Sequence, residues 1–472
     1  MMSKSNAPLS AWKTLVILSS IATMVMYAET MLIPAIPDLI KDFSISYGMS
    51  SWILTTYLIA GAVMTPIVGK IGDLYGKKKT LLVVMTVYTA GVSLGGFTTN
   101  IYAMLAVRAL QGIGISMFPI AFGIIRDQLP VNKLAIGQGL ITSMFAAGSV
   151  LGLLFGGNII HQFGWQFTFF FTIPVAIGLV ITIKKLIPES QMHIDSEKKP
   201  RLDIMGAAVL AVAIISFLLS LTLVEDDINS PQLLVTIIIG ASSLTLFIVM
   251  ERKTASPIID FKLLSNRNLM AANVMIMIVG MSMFMVFQTI PILVRNPEPF
   301  GFGGDSLDAA HTQLPFALVL LVFGPTSGFI VSRLGVLKPV LLGNVITTLG
   351  FFSLYFFHSN EISVSANLAL LSAGLSLTSV GATNIILLLT PKQFSGMSMG
   401  MSTLIRIIGS SVGPALAAMY MQTHQNTIKG MAGSFPSQES YNLIFLTASI
   451  VSIASIILTL TIRKRVSQLH TA

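Results

Sequence analysis

The chain runs to 472 residues, 54% hydrophobic and 10% charged, whereas soluble domains carry roughly a quarter charged residues, so its solvent must be mostly lipid. Its formal charge of +9 is scattered between apolar runs rather than gathered in one region, which argues against a nucleic-acid partner. With no cysteine, disulfides and thiolate metal sites are excluded, and neither a metal nor a cofactor is expected.

A membrane-spanning helix needs about 20 mostly apolar residues. The first such run, 14–36, is too long for a signal-peptide core and lacks a small-residue cleavage site, so it reads as the first span. Spans two and three, at 49–69 and 80–98, are joined by Gly69-Lys-Ile-Gly72-Asp73-Leu-Tyr-Gly76-Lys77-Lys78-Lys79. Glycine permits the backbone angles of a very tight turn, and the lysines mark a cytoplasmic face. This is not a phosphate-binding loop, which needs four residues between its glycines and a hydroxyl after the lysine. Spans follow at 101–124, 138–158 and 166–187.

Pro188 to Asp203 is charged and reads as a solvated linker. Two spans with few polar residues, 204–224 and 232–250, are joined by Glu225-Asp226-Asp227. A second charged connection, Glu251 to Arg267, leads to spans at 268–294, 310–332, 338–357, 363–389, 396–420 and 441–462. The expected fold is an all-α membrane protein of fourteen transmembrane helices arranged six, two, six. Residues 1–188 form an N-terminal six-helix bundle, 189–266 the linker and two extra helices, and 267–472 a C-terminal six-helix bundle. Transporters often contain such halves as repeats. With the N-terminus inside, the basic residues outside the spans fall in cytoplasmic segments, save Lys41, Arg295 and Lys429. One missed helix would invert every later loop, so the split supports the helix count and places both termini in the cytoplasm.

Three ionisable residues remain within the spans, Glu29, Arg108 and Arg406. Such residues are expensive in hydrocarbon and are functional candidates for that reason. Glu29 lies ~22 Å from the inner end of span one, and Arg108 ~10 Å from the outer end of span four, at 1.5 Å per residue. The two charges therefore fall at similar depth. Either they form a static pair that fixes helix packing, or the carboxyl exchanges protons against substrate while the arginine responds to its charge. Arg406 would repel cations, bind an acidic substrate, or pair with a helix carbonyl. Gln288, Asn273, Asn344 and Asn384 offer hydrogen-bonding groups for a central cavity, and the methionines of span nine, Met270 to Met285, would form either a soft pocket or a lipid-facing or packing surface.

The loop spacing G-x-x-x-D-x-x-G-K-K from Gly69 resembles the loop between helices 2 and 3 of the major facilitator superfamily. Arg108-Ala-Leu-Gln111-Gly112-Ile-Gly114 resembles its R-x-x-Q-G-x-G signature in helix 4, associated with proton coupling. Gly148, Gly152, Gly156 and Gly157 in span five resemble the antiporter motif of its exporters, with Leu153 in place of the proline. Fourteen spans, Trp52-Ile-Leu-Thr-Thr-Tyr57 and Gly164-Trp165 are similar to the drug:proton antiporter-2 family. Glu29 before Pro34 looks more like the fourteen-helix tetracycline exporters, which also carry an acid in helix 13, where this chain has Arg406.

The resemblance covers nearly the whole chain and implies a proton-coupled antiporter of the multidrug-efflux, antibiotic-resistance type. It would export amphipathic small molecules by alternating access, as a monomer in the plasma membrane, with protons and the lipid bilayer as its other partners. It also implies that Asp73, Lys77, Lys78 and Asp127 form an inner gate of charges, while Arg126 is expected to be solvated. An organic-anion or metabolite transporter of the same fold is the alternative. A membrane enzyme or sensor is disfavoured, since there is no H-E-x-x-H, no phosphate-binding loop and no soluble domain able to hold a site.

Overall fold

The computed structural model describes residues 9–45, 47–189, 203–226, 230–254, 257–304, 306–427 and 434–462. Both chain termini and most of the expected linker after Pro188 lie outside them. Fourteen long helices follow the apolar runs in order. They are α1 (Leu9–Thr30), α2 (Tyr47–Tyr75), α3 (Lys77–Gly95), α4 (Ile101–Gln128), α5 (Val131–Phe163), α6 (Gln166–Leu186) and the added pair α7 (Ile204–Asp226) and α8 (Pro231–Glu251). Then come α9 (Arg267–Arg295), α10 (Ser306–Leu334), α11 (Leu337–Phe356), α12 (Glu361–Leu389), α13 (Ser395–Thr423) and α14 (Gln438–Thr461). Among the described residues, thirteen helices are long and apolar enough to cross a membrane. The exception, α3, has only 19 residues and opens on Lys77, Lys78 and Lys79, which dilute an otherwise apolar stretch.

Two helix ends differ from the apolar runs for stated reasons. The first helix stops at Thr30 rather than continuing to 36, because Pro34 has no N–H for the Thr30 carbonyl and its ring clashes with it; a single tight turn at Ile33–Ala35 and a short helix Ile36–Phe43 follow. Helices α2 and α3 are parted by Gly76 alone, at φ 97°, a conformation that side chains with a Cβ resist. In the connection after α13, Gln425–Thr427 (β1) pairs antiparallel with Ser434–Pro436 (β2).

The chain divides into two compact units. The first takes Met1–Ile215, Ser242–Leu263 and Leu387–Leu404; the second takes Ser216–Ala241, Leu264–Ile386 and Ile405–Ala472. Within the first, α1 lies along α5 on the glycine face expected there. A methyl on Gly152 would stand 2.6 Å from the Tyr27 carbonyl oxygen, and one on Gly156 2.7 Å from that of Met31. Small residues are what let two backbones approach so closely without a water-driven hydrophobic force. In the second unit Gly409 and Gly413 of α13 face the Met277 and Met281 carbonyls of α9 in the same manner. Of the span-nine methionines, Met275, Met281, Met283 and Met285 are buried, Met277 is half-buried and Met270 is exposed.

The α1–α5 contact yields a direct test. Gly152→Ala is expected to force the helices apart at Tyr27 and Thr30 and to destabilise the fold by about 1–3 kcal/mol, the usual range for overpacking. Thermal unfolding in detergent would show it as a lowered midpoint. An unchanged midpoint would mean that the close approach is not a stability determinant.

Candidate functional site: an arginine node at the end of the first helix

Helix termini leave backbone carbonyls without intrahelical partners, and in lipid these must be satisfied within the protein. Because α1 ends at Thr30, the carbonyls of its last turn need donors. Arg108 supplies them. The side chain is wholly buried; its Nη1 donates to the Ala28 carbonyl at 2.7 Å and its Nη2 to that of Glu29 at 3.3 Å. Its Nε donates to the Ile53 carbonyl of α2 at 3.0 Å, and Nη1 also to Gln111 Oε1 at 3.0 Å. The guanidinium carbon sits 4.4 Å from the centre of the Tyr57 ring, a cation–π geometry. A positive group at a helix C-terminus also meets the negative end of the helix dipole. One side chain thereby joins α1, α2 and α4.

Two tyrosines complete the node. Tyr57 Oη donates to the Val25 carbonyl at 2.7 Å, and Tyr88 Oη of α3 to that of Met24 at 3.2 Å. Gly112 and Gly114 make room for them: a methyl on Gly112 would collide with the Tyr57 main chain, and one on Gly114 with the Tyr88 ring. The helix itself is interrupted there by a tighter turn over Ile113–Ser116. Glu29 is half-buried in the last turn of α1, and the bonds Arg108 makes to positions 28 and 29 are to main-chain carbonyls. The roles of Tyr57 and Tyr88 escaped the sequence reading; a phenol inside an apolar run, one or two helices from an arginine, was the available signal.

The second cluster lies where α2 meets α3. Asp73 Oδ1 accepts from the Gly396 N–H at 3.0 Å and Oδ2 from the Met397 N–H at 2.7 Å, capping the first turn of α13. Gly69 faces the Gly396 carbonyl, and Gly400 the carbonyl of Thr65. Lys77 Nζ pairs with Asp127 Oδ2 at 2.7 Å, with side chains 8% and 14% exposed. Lys78 is half-buried beside it in sequence. Arg126, expected to be solvated, instead donates to the Thr390 and Pro391 carbonyls beyond the end of α12. The spacing Gly396-Met-Ser-Met-Gly400 is a small-residue packing signature that the sequence reading passed over.

The cavity candidates of the second unit are dispersed. Gln288 is exposed on α9, and Asn384 is buried in α12. Arg406 is half-buried, with its stem crossing Gly280 of α9. Asn344 is a packing group: its Oδ1 accepts from Thr378 and Ser455, and its Nδ2 donates to the Thr459 hydroxyl and the Ser455 carbonyl, tying α11, α12 and α14 together.

The sequence matches the family model described as Major Facilitator Superfamily over residues 18–310 and 274–471. Among curated proteins it is 24% identical to the tetracenomycin C resistance and export protein of Streptomyces glaucescens, over 87% of this chain and 76% of that one. It is 25% identical to the multidrug transporter protein MdtP of Bacillus subtilis, over 88% of this chain and 76% of that one. Among solved structures, that of the human organic anion transporter MFSD10 superposes with a TM-score of 0.68 at 14% identity, covering 96% of this chain and all of that one, a likeness of fold. The chain therefore belongs to the Major Facilitator Superfamily, a family of transporters, as its loop and helix motifs implied.

Proposed function

We propose that this protein is a proton-coupled antiporter of the drug:proton antiporter-2 type, exporting amphipathic small molecules across the plasma membrane by alternating access. The observation that carries the reading is the position of Glu29. It sits half-buried in the last turn of α1, whose carbonyls at 28 and 29 Arg108 holds. An ionised carboxyl there is drawn to the guanidinium, and a protonated one is not. Loading or unloading the proton therefore acts on the end of α1, and through Arg108 on α2 and α4. The name of one relative, a tetracenomycin C resistance and export protein, supports export as the direction, and that of another, a multidrug transporter protein, supports the substrate class. The two six-helix halves would rock about a midplane site, with a cationic or neutral amphipath competing with the proton at Glu29.

The test is proton release on substrate addition to the purified protein in detergent, for wild type and Glu29→Gln, against cationic, neutral and anionic compounds. Release by a cation from wild type but not from the variant is the expected result. Equal release from both would remove Glu29 from the coupling. Binding of anions alone, lost in Arg406→Ala, would favour an organic-anion transporter.

A further inference from the structure

The added pair, α7 and α8, ends in a group of charges that neither the arginine node nor the Asp73 contact uses. Glu251, the last residue of α8, is only 2% exposed. Its Oε1 accepts from the backbone N–H groups of Ile258 and, at 2.9 Å, Ile259, so it pins the chain that follows α8. Its Oε2 is buried without a hydrogen-bond partner among the described residues. Across from it, Asp203 caps the start of α7, its Oδ1 accepting from the Gly206 N–H at 2.8 Å and its Oδ2 from the Thr254 hydroxyl at 3.2 Å. A methyl on Gly206 would stand 2.6 Å from Asp203 Oδ2 and 3.0 Å from Glu251 Oε2, so the two carboxylate oxygens crowd the same point.

A buried carboxylate oxygen with no donor, facing a second carboxylate, is unfavourable as drawn if both groups are ionised. Among the described residues, the other charges that act on the pair are few. Lys70 of α2, 5% exposed, lies within electrostatic range of Glu251, and also of Asp73 and Asp260. The Thr254 hydroxyl already donates to Asp203. One lysine shared among several acids does not supply a donor to Glu251 Oε2. A proton does.

We propose that Glu251 and Asp203 form a proton-binding pair, with one proton carried on Glu251 Oε2 and donated in a hydrogen bond to Asp203 Oδ2. The proton is taken from, and returned to, the aqueous phase at the end of α7 and α8 that is expected to face the cytoplasm. Two carboxyls that share a proton titrate as a pair, so the site would respond to pH on that side alone. Because Glu251 also holds the chain after α8, and Lys70 lies within electrostatic range of both Glu251 and Asp73, the charge of the pair would be felt at the contact that caps α13. On this reading the added pair is a pH-responsive attachment to the transport machinery rather than a spacer.

The test uses the full-length protein and needs no substrate. Infrared titration in detergent would follow the stretching band of protonated carboxyl groups in wild type, Glu251→Gln and Asp203→Asn. Glu251→Gln keeps the acceptor for Ile258 and Ile259 and offers an N–H to Asp203, so it should fold while losing the band. In Asp203→Asn the like charge is gone and an N–H donor faces Oε2, so the band should vanish at lower pH than in wild type. A full band in Glu251→Gln, or an unmoved titration in Asp203→Asn, would overturn the proposal. A transport arm, resting on the proton-coupled reading above, would measure export against pH on the cytoplasmic side. Glu251→Gln should flatten that profile with Glu29 intact, whereas a wrong assignment of Glu29 would leave the infrared result standing.

Discussion

Arg108→Lys is expected to yield a folded protein that transports at least about tenfold more slowly than wild type, and Arg108→Ala a protein that barely folds. The difference follows from how the guanidinium is used. It serves the carbonyls of Ile53, Ala28 and Glu29 and the Gln111 side chain at once, while lying flat over Tyr57. An ammonium is a compact point charge without the planar fork, so lysine can satisfy some of these acceptors but not all in their present places. Alanine leaves them all unmet in a buried setting. Removing one member of a buried charge network typically costs about 3–5 kcal/mol, a large fraction of the ~5–15 kcal/mol that holds a domain folded. Export assays in intact cells, read beside thermal unfolding in detergent, would separate the two variants. If Arg108→Lys transports at the wild-type rate, the node is a packing device, and coupling at Glu29 does not pass through it.

The helices and their order were legible because lipid imposes one demand, a run of about 20 apolar residues, and the chain meets it nearly everywhere. Where the reading slipped, a proline intervened, as at Pro34, which ends α1 early. The candidate site was partly legible. Ionisable residues stand out in a hydrocarbon context, so Glu29 and Arg108 drew notice by rarity, and Arg108 also by its motif. What they bond to was not legible, because backbone carbonyls carry no letter in a sequence. The same holds for Asp73, whose partners are the N–H groups of Gly396 and Met397, more than three hundred positions away. Asn344 shows the converse: an amide in a span reads as a binding group, and only the surrounding Thr378, Ser455 and Thr459 reveal it as saturated.

Asp73→Asn is expected to loosen the start of α13 and to impair transport. The carboxylate offers an acceptor to each of two N–H groups, and its charge meets the positive end of the helix. An asparagine presents one oxygen and one NH2, so a donor would face a donor at either Gly396 or Met397, and the charge is lost. Hydrogen bonds to a charged group contribute about 1.5–3 kcal/mol, and 1.4 kcal/mol is about tenfold in an equilibrium, so the fraction of molecules with this contact open should rise about tenfold or more. The chain has no cysteine, so a single Ser395→Cys reports on the site without background. Ser395 is fully buried, and a maleimide should label its replacement slowly. Adding Asp73→Asn should speed labelling about tenfold. Gly69→Ala should do the same by a steric route, since its methyl would press on the Gly396 carbonyl. If both changes leave labelling slow, the contact does not open independently, and Asp73 acts as a fixed cap on α13 rather than as a gate.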